Sequence, residues 1–211
     1  MLKQLSIAVL AATVATAASA NGFTFKVGAG YLDPTADSDI ASGAVTKAEV
    51  SGEAAILPSI DYRFGSSPFS AELLLATPFE HTVTGDFGGV NQKIAEFKQL
   101  PPTLTFKYNT PELLPGLTAN VGVGATVLIP YEEELSPAVA AALSASKLEA
   151  KTTVAPAAQL GVNYRLPNQP WGIFADVRYA DLKADLKADG TKIGELEVNP
   201  VVYSIGVSHK F

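Results

Sequence analysis

The chain has 211 residues with 15 basic and 21 acidic side chains, a formal net charge of −6, and no cysteine. The missing cysteines exclude a disulfide framework and thiolate metal sites, and the acidic balance argues against a nucleic-acid partner. Hydrophobic residues make up 47% of the sequence. Beyond residue 20, however, no run approaches the ~18 apolar residues of a helical span, so membrane crossing by helices is excluded too.

The first twenty residues read as a secretory signal. Lys3 supplies the positive start, Leu5 to Ala17 the apolar run, and Ala18-Ser19-Ala20 an A-x-A cleavage site. The mature chain should therefore begin at Asn21, with 1–20 as signal peptide and 21–211 as one domain. Without Lys3 the mature chain keeps 14 basic and 21 acidic residues, a net charge of −7.

Eight segments then alternate with period two, as half-buried strands do. The first sets Phe23, Phe25, Val27, Ala29 and Tyr31 against Thr24, Lys26, Gly28 and Gly30. The second places Ile56, Pro58, Ile60, Tyr62 and Phe64 opposite Leu57, Ser59, Asp61 and Arg63. Leu73 and Glu72 fall on opposite faces of the third, as do Phe106 and Lys107 of the fourth. The fifth, 117–129, is the longest. The sixth covers 153–165, and Trp171 to Tyr179 form the seventh, with Asp176 and Arg178 behind its apolar face. The eighth runs from Val201 to Phe211.

The connections alternate in length. Gly65 to Pro68, Asn109 to Gly116 and Leu166 to Pro170 are short and made of turn residues. Long polar stretches lie near 33–52, 79–100, 130–151 and 182–199. Short turns at one end and long loops at the other are the pattern of outer-membrane barrels. The expected fold is all-β: an eight-stranded antiparallel transmembrane β-barrel with long extracellular loops and short periplasmic turns. One helix is expected in the third long loop, capped by Ser136, with Pro137 at its first position and Ala138 to Ala150 as its body. Two aromatic bands should mark the interfaces. Phe25, Tyr62, Phe64, Phe69, Tyr108, Tyr164, Trp171 and Phe211 lie toward the short turns; Tyr31, Tyr131, Tyr179 and Tyr203 lie toward the loops.

Chemistry-bearing motifs are missing. His81 and His209 are the only histidines and fall at opposite ends, and there is no H-E-x-x-H, P-loop or G-x-S-x-G. Gly28-Ala29-Gly30 sits in a strand and lacks a third glycine. No catalytic residue, metal site or cofactor is expected, and the chain does not read as an enzyme. The inward positions are more informative. Lys26, Asp61, Arg63, Glu72, Lys107, Arg165, Asp176, Arg178 and Lys210 should form a charged plug in the lower lumen. Leu57, Leu74, Ala76, Leu128 and Val202 face inward above it, either as dry packing or as an apolar funnel. Pro78 with Phe79, and Pro101-Pro102, mark a candidate lateral outlet, since prolines give no N–H to a ladder.

The stretch Leu74-Leu75-Ala76-Thr77-Pro78-Phe79-Glu80-His81, followed by Leu100-Pro101-Pro102-Thr103-Leu104, resembles the signature of the OmpW family of small outer-membrane proteins. Asp176-Val177-Arg178-Tyr179 and Asn199-Pro200-Val201-Val202-Tyr203 are similar to its last two strands. The resemblance implies a barrel with an apolar channel for small hydrophobic molecules, closed below, with lateral opening into the membrane. It also implies the outer membrane of a Gram-negative bacterium as location. The expected partners are outer-membrane lipids and lipopolysaccharide, small hydrophobic solutes, and the assembly machinery, which reads terminal aromatics such as Phe211; a monomer is expected. The alternative function is a structural or surface-interaction barrel, of the bacteriocin- or phage-receptor kind, that conducts nothing.

Overall fold

The computed structural model describes residues 22–40 and 43–211. The signal segment and its cleavage site lie outside the described residues. Eight strands build the barrel: β1 (Phe23–Asp33), β4 (Glu53–Arg63), β5 (Phe69–Leu74), β8 (Thr103–Asn109), β9 (Leu117–Leu135), β11 (Thr153–Arg165), β12 (Trp171–Ala180) and β15 (Val201–Lys210). Each pairs antiparallel with its neighbour in that order, and β15 returns to β1, so the sheet is closed. Closure leaves no free edge along these strands. All eight alternating segments are strands, as their periodicity predicts.

The outer wall is apolar and bare. Leu104, Val123, Val154, Leu160 and Ile205 are all more than half exposed, a surface that suits hydrocarbon and not water. At the short-turn end, Phe23, Tyr62, Phe64, Phe106, Phe69 and Tyr108 touch ring to ring in sequence around the wall. Gly116 ends one of these turns at φ 79°, and a Cβ there would meet the Arg165 carbonyl oxygen at 2.7 Å. Only glycine fits that position without strain.

The long connections differ from expectation: most of them are strand. β2 (Asp37–Ile40), β3 (Val45–Val50), β6 (Phe79–Phe87) and β7 (Val90–Leu100) join the upper part of β9 in a sheet that continues beyond the barrel. A second sheet holds β10 (Leu148–Ala150), β13 (Lys183–Ala188) and β14 (Thr191–Glu197). The two sheets meet where the Glu197 amide donates to Ser38 Oγ (2.8 Å) and the Ala150 amide to Glu133 Oε1 (3.3 Å). Between them Val45, Ile94, Phe97, Leu128, Val139 and Leu186 share a separate apolar core. Register shifts fall in β2, β3, β6, β7 and β13. Each bulge reverses side-chain parity after a few residues, so the alternation that betrays a strand is broken in the sequence.

The helix is shorter than expected. Helix α1 covers Pro137–Leu143, with Ser136 Oγ accepting from the Val139 amide, and Ser144 ends it in the left-handed conformation. Residues 148–150 are strand, because Leu148 pairs with Ala188.

Candidate functional site

Glu72 on β5 is the hub of the lower lumen. Its carboxylate accepts from Lys26 (3.2 Å), Lys107 (2.5 Å), Arg178 (3.0 Å), Ser59 (2.6 Å) and Gln159 (3.4 Å). These donors come from β1, β8, β12, β4 and β11, so the contacts cross the whole barrel. Lys107 also binds Asp61, and Arg178 also binds Asp176. Ser204 Oγ donates to Asp176 Oδ1 at 2.5 Å. Three basic and three acidic side chains thus balance, which is the condition under which buried charge is tolerated. Gly122 makes room for this: a Cβ there would sit 2.8 Å from Lys107 Cγ. Phe174, absent from the expected lumen residues, also points inward, its ring 5.0 Å from Lys26 Nζ.

Three of the nine expected plug residues stand apart. Arg63 Nε donates to the Ser67 carbonyl (3.0 Å), Arg165 pairs with exposed Glu112 (2.8 Å), and Lys210 has no acidic partner among the described residues. They share the inward parity but are the last inward residues of their strands, so they reach the open mouth and not the cluster.

Above Glu72 the lumen turns apolar. Leu57 and Leu74 pack with Leu32 and Phe79, and Ala55, Ala76 and Val202 lean against them. Leu32 and Ala55 join this layer from strand ends that the alternating segments did not reach. Phe79, expected at the outlet, is buried within it. Leu128, expected here, belongs to the outer core instead, because β9 leaves β8 near Thr126 and pairs with β7 from Ile129 onward. The Leu57, Leu74 and Phe79 side chains are almost wholly buried, so this layer is packed and not an open pore.

Beside this layer the wall is unpaired. The β5–β8 ladder ends at Leu74↔Thr103. Beyond it, the amides of Leu75 and Thr77 donate to β4 at Pro58 (2.8 Å) and Ile56 (3.0 Å), while the Pro102 carbonyl accepts from Val127 on β9 (2.9 Å). Among the described residues no backbone hydrogen bond joins 75–78 to 101–102. Pro78, Pro101 and Pro102 have no N–H to offer across the gap. Pairing resumes above it at Phe79↔Gln99.

His81 links the two apolar layers. Its ring lies 6.0 Å from Phe79 below and 5.3 Å from Phe97 in the outer core. Nδ1 donates to the Ser51 carbonyl oxygen (2.7 Å), and Nε2 lies 2.7 Å from the Gln99 side-chain amide. Burial pushes its pKa below the ordinary histidine value, and the Ser51 carbonyl and Glu53 oppose the shift only in part. A depressed folded pKa means the unfolded chain binds the proton first, so stability is lost as pH falls through about 6.5 and below. The outer extension should therefore become more susceptible to protease between roughly pH 7 and pH 5.5. His81→Phe should remove that dependence relative to wild type under identical digestion.

The model of the OmpW family matches residues 19–211. The crystal structure of outer membrane protein OprG from Pseudomonas aeruginosa is similar with a TM-score of 0.76 and 29% identity, covering 90% of this chain and 96% of that one. The solid-state NMR structure of outer membrane protein AlkL in DMPC bilayers gives 0.66 and 22%, covering 90% of each chain. Neisserial surface protein A (NspA) gives 0.54 and 14%, covering 90% of this chain and 98% of that one. At those identities the last two show the fold alone. No curated protein sequence matches the chain.

Proposed function

This chain belongs to the OmpW family, and from that premise we propose that it takes up small hydrophobic molecules passively across the outer membrane of a Gram-negative bacterium. The barrel sits in outer-membrane lipid, and its family and fold are those of outer-membrane barrels rather than of enzymes. The observation that carries the reading is the apolar layer of Leu32, Leu57, Leu74 and Phe79 resting on a charged cluster that fills the lumen. A solute reaching this layer from outside has to part the packed Leu57, Leu74 and Phe79 side chains, and below them it meets Glu72. Going further would strip the buried charges of their partners, which is costly. The exit is therefore sideways, between 75–78 and 101–102, where no ladder has to be broken.

The remaining parts of the reading are that residues 1–20 are cleaved after Ala20, that the barrel is monomeric, and that lipopolysaccharide surrounds its outer end. Phe211, whose amide donates to the Phe23 carbonyl (3.0 Å) at the closing strand pair, is the residue offered to the assembly machinery. A second reading, a surface-interaction barrel, is favoured by the outer extension, which carries its own core and projects an ordered surface.

The native chain has no cysteine, so a staple can be placed without background reaction. Cysteines at Thr77 and Pro102, joined by a reducible bismaleimide, should block uptake of hydrophobic solutes in liposomes and restore it on reduction. Unchanged uptake in the stapled protein would remove the lateral route. No uptake even by unmodified protein would favour the surface-interaction reading.

A further inference from the structure

The lumen below the charged cluster is a cavity of about 620 Å³, open at the short-turn end. It belongs to neither the apolar layer nor the outlet. The cluster forming its roof is neutral, whereas Arg63, Arg165 and Lys210 at its mouth face only one acidic side chain, Glu112. The side chains therefore leave a charge of +2 at the rim. Arg165 is engaged by Glu112 (2.8 Å). Arg63 and Lys210 have no acidic partner among the described residues.

The register brings these two together. Thr24 on β1 pairs with Lys210 on one side and with Asp61 on the other, and the Arg63 amide donates to the Gly22 carbonyl one step below (2.8 Å). Lys210 and Arg63 therefore flank a short stretch of β1 that offers only the Gly22 backbone and the Thr24 hydroxyl. Asp61 closes the inner side, its charge already met by Lys107. Arg63, whose Nε is held by the Ser67 carbonyl (3.0 Å), and Lys210 line one cavity with Thr24 between their strands, and a guanidinium with an ammonium suits a tetrahedral oxyanion.

We infer that the periplasmic mouth is a binding site for a phosphate group, held between Arg63 and Lys210 with Thr24 as its hydroxyl donor. The phosphate is either free in the periplasm or carried by an inner-leaflet phospholipid headgroup. This site is independent of the uptake reading. Its test is NMR titration of the Thr24 and Ser208 amides with inorganic phosphate, in dodecyl maltoside micelles, which carry no phosphate, against chloride at equal ionic strength. Free phosphate is supported if phosphate alone shifts these signals and the double variant Arg63→Gln, Lys210→Gln weakens binding about tenfold, a change of ~1.4 kcal/mol. A headgroup is supported if the signals move instead on adding phosphatidylglycerol to the micelles, and only with both cations present. Equal shifts from chloride, no shift in either arm, or a double variant that responds as wild type would overturn the proposal. Both residues are exposed, and heat-modified mobility on gels reports whether the variant barrel is folded.

Discussion

Glu72→Ala is expected to destabilise the folded barrel by about 3–5 kcal/mol, the cost of leaving buried charges without their counter-ion. The substitution removes the acceptor shared by Lys26, Lys107 and Arg178 and leaves three cations with two aspartates. The site has little slack, since Asp61 Oδ1, Asp176 Oδ2, Gln159 Oε1 and Arg178 Nε already lack partners among the described residues. Urea unfolding in detergent, with heat-modified gel mobility as the fold marker, measures the loss. Replacing all six members, Lys26, Asp61, Glu72, Lys107, Asp176 and Arg178, together by methionine or leucine should cost less than Glu72→Ala alone, because neither a cation nor a carboxylate is then left without its partner. A Glu72→Ala barrel as resistant as wild type would mean that water reaches the cluster and screens it.

Leu74→Arg should lower uptake of hydrophobic solutes more than tenfold while the barrel still assembles. Leu74 packs against Leu32, Leu57 and Phe79, so a guanidinium there places a polar group in the apolar layer between outlet and cluster. A solute passing it would have to desolvate that charge. Leu74 faces the lumen at the end of the β5–β8 ladder, where a charge is better tolerated than on the lipid face, which is why the barrel still assembles. Leu73→Arg is the contrasting case. Leu73 faces outward and is exposed, and a charge on the lipid face near mid-membrane costs about 2–4 kcal/mol, so assembly should fail there while the lumen is untouched. A Leu74→Arg barrel that folded and transported normally would remove the apolar layer from the route.

The relation between these two neighbours was legible in the sequence. Period-two alternation is a property of the local backbone, so the number of barrel strands, their approximate limits and the inward parity of Lys26, Glu72, Lys107 and Arg178 all follow from the order of residues alone. Phe174 is accessible to the same logic: it shares parity with Asp176, and only its apolar character hid it. Depth and partnership were not legible. Nothing around Glu72 announces that it reaches Lys26, Gln159 and Arg178, which lie 46, 87 and 106 residues away in the chain. Those contacts depend on the stagger at which eight strands close on one another, and closure is a condition on the whole sheet. The same holds for Arg63, Arg165 and Lys210, whose parity fits the cluster but whose height places them at the mouth. The outer extension failed differently, because its bulges scramble the local signal itself. Alternation thus determined which side of the wall each barrel residue faces. Only the closed register decided which side chains meet across the lumen, since that distance is set by strands with no neighbourhood in sequence.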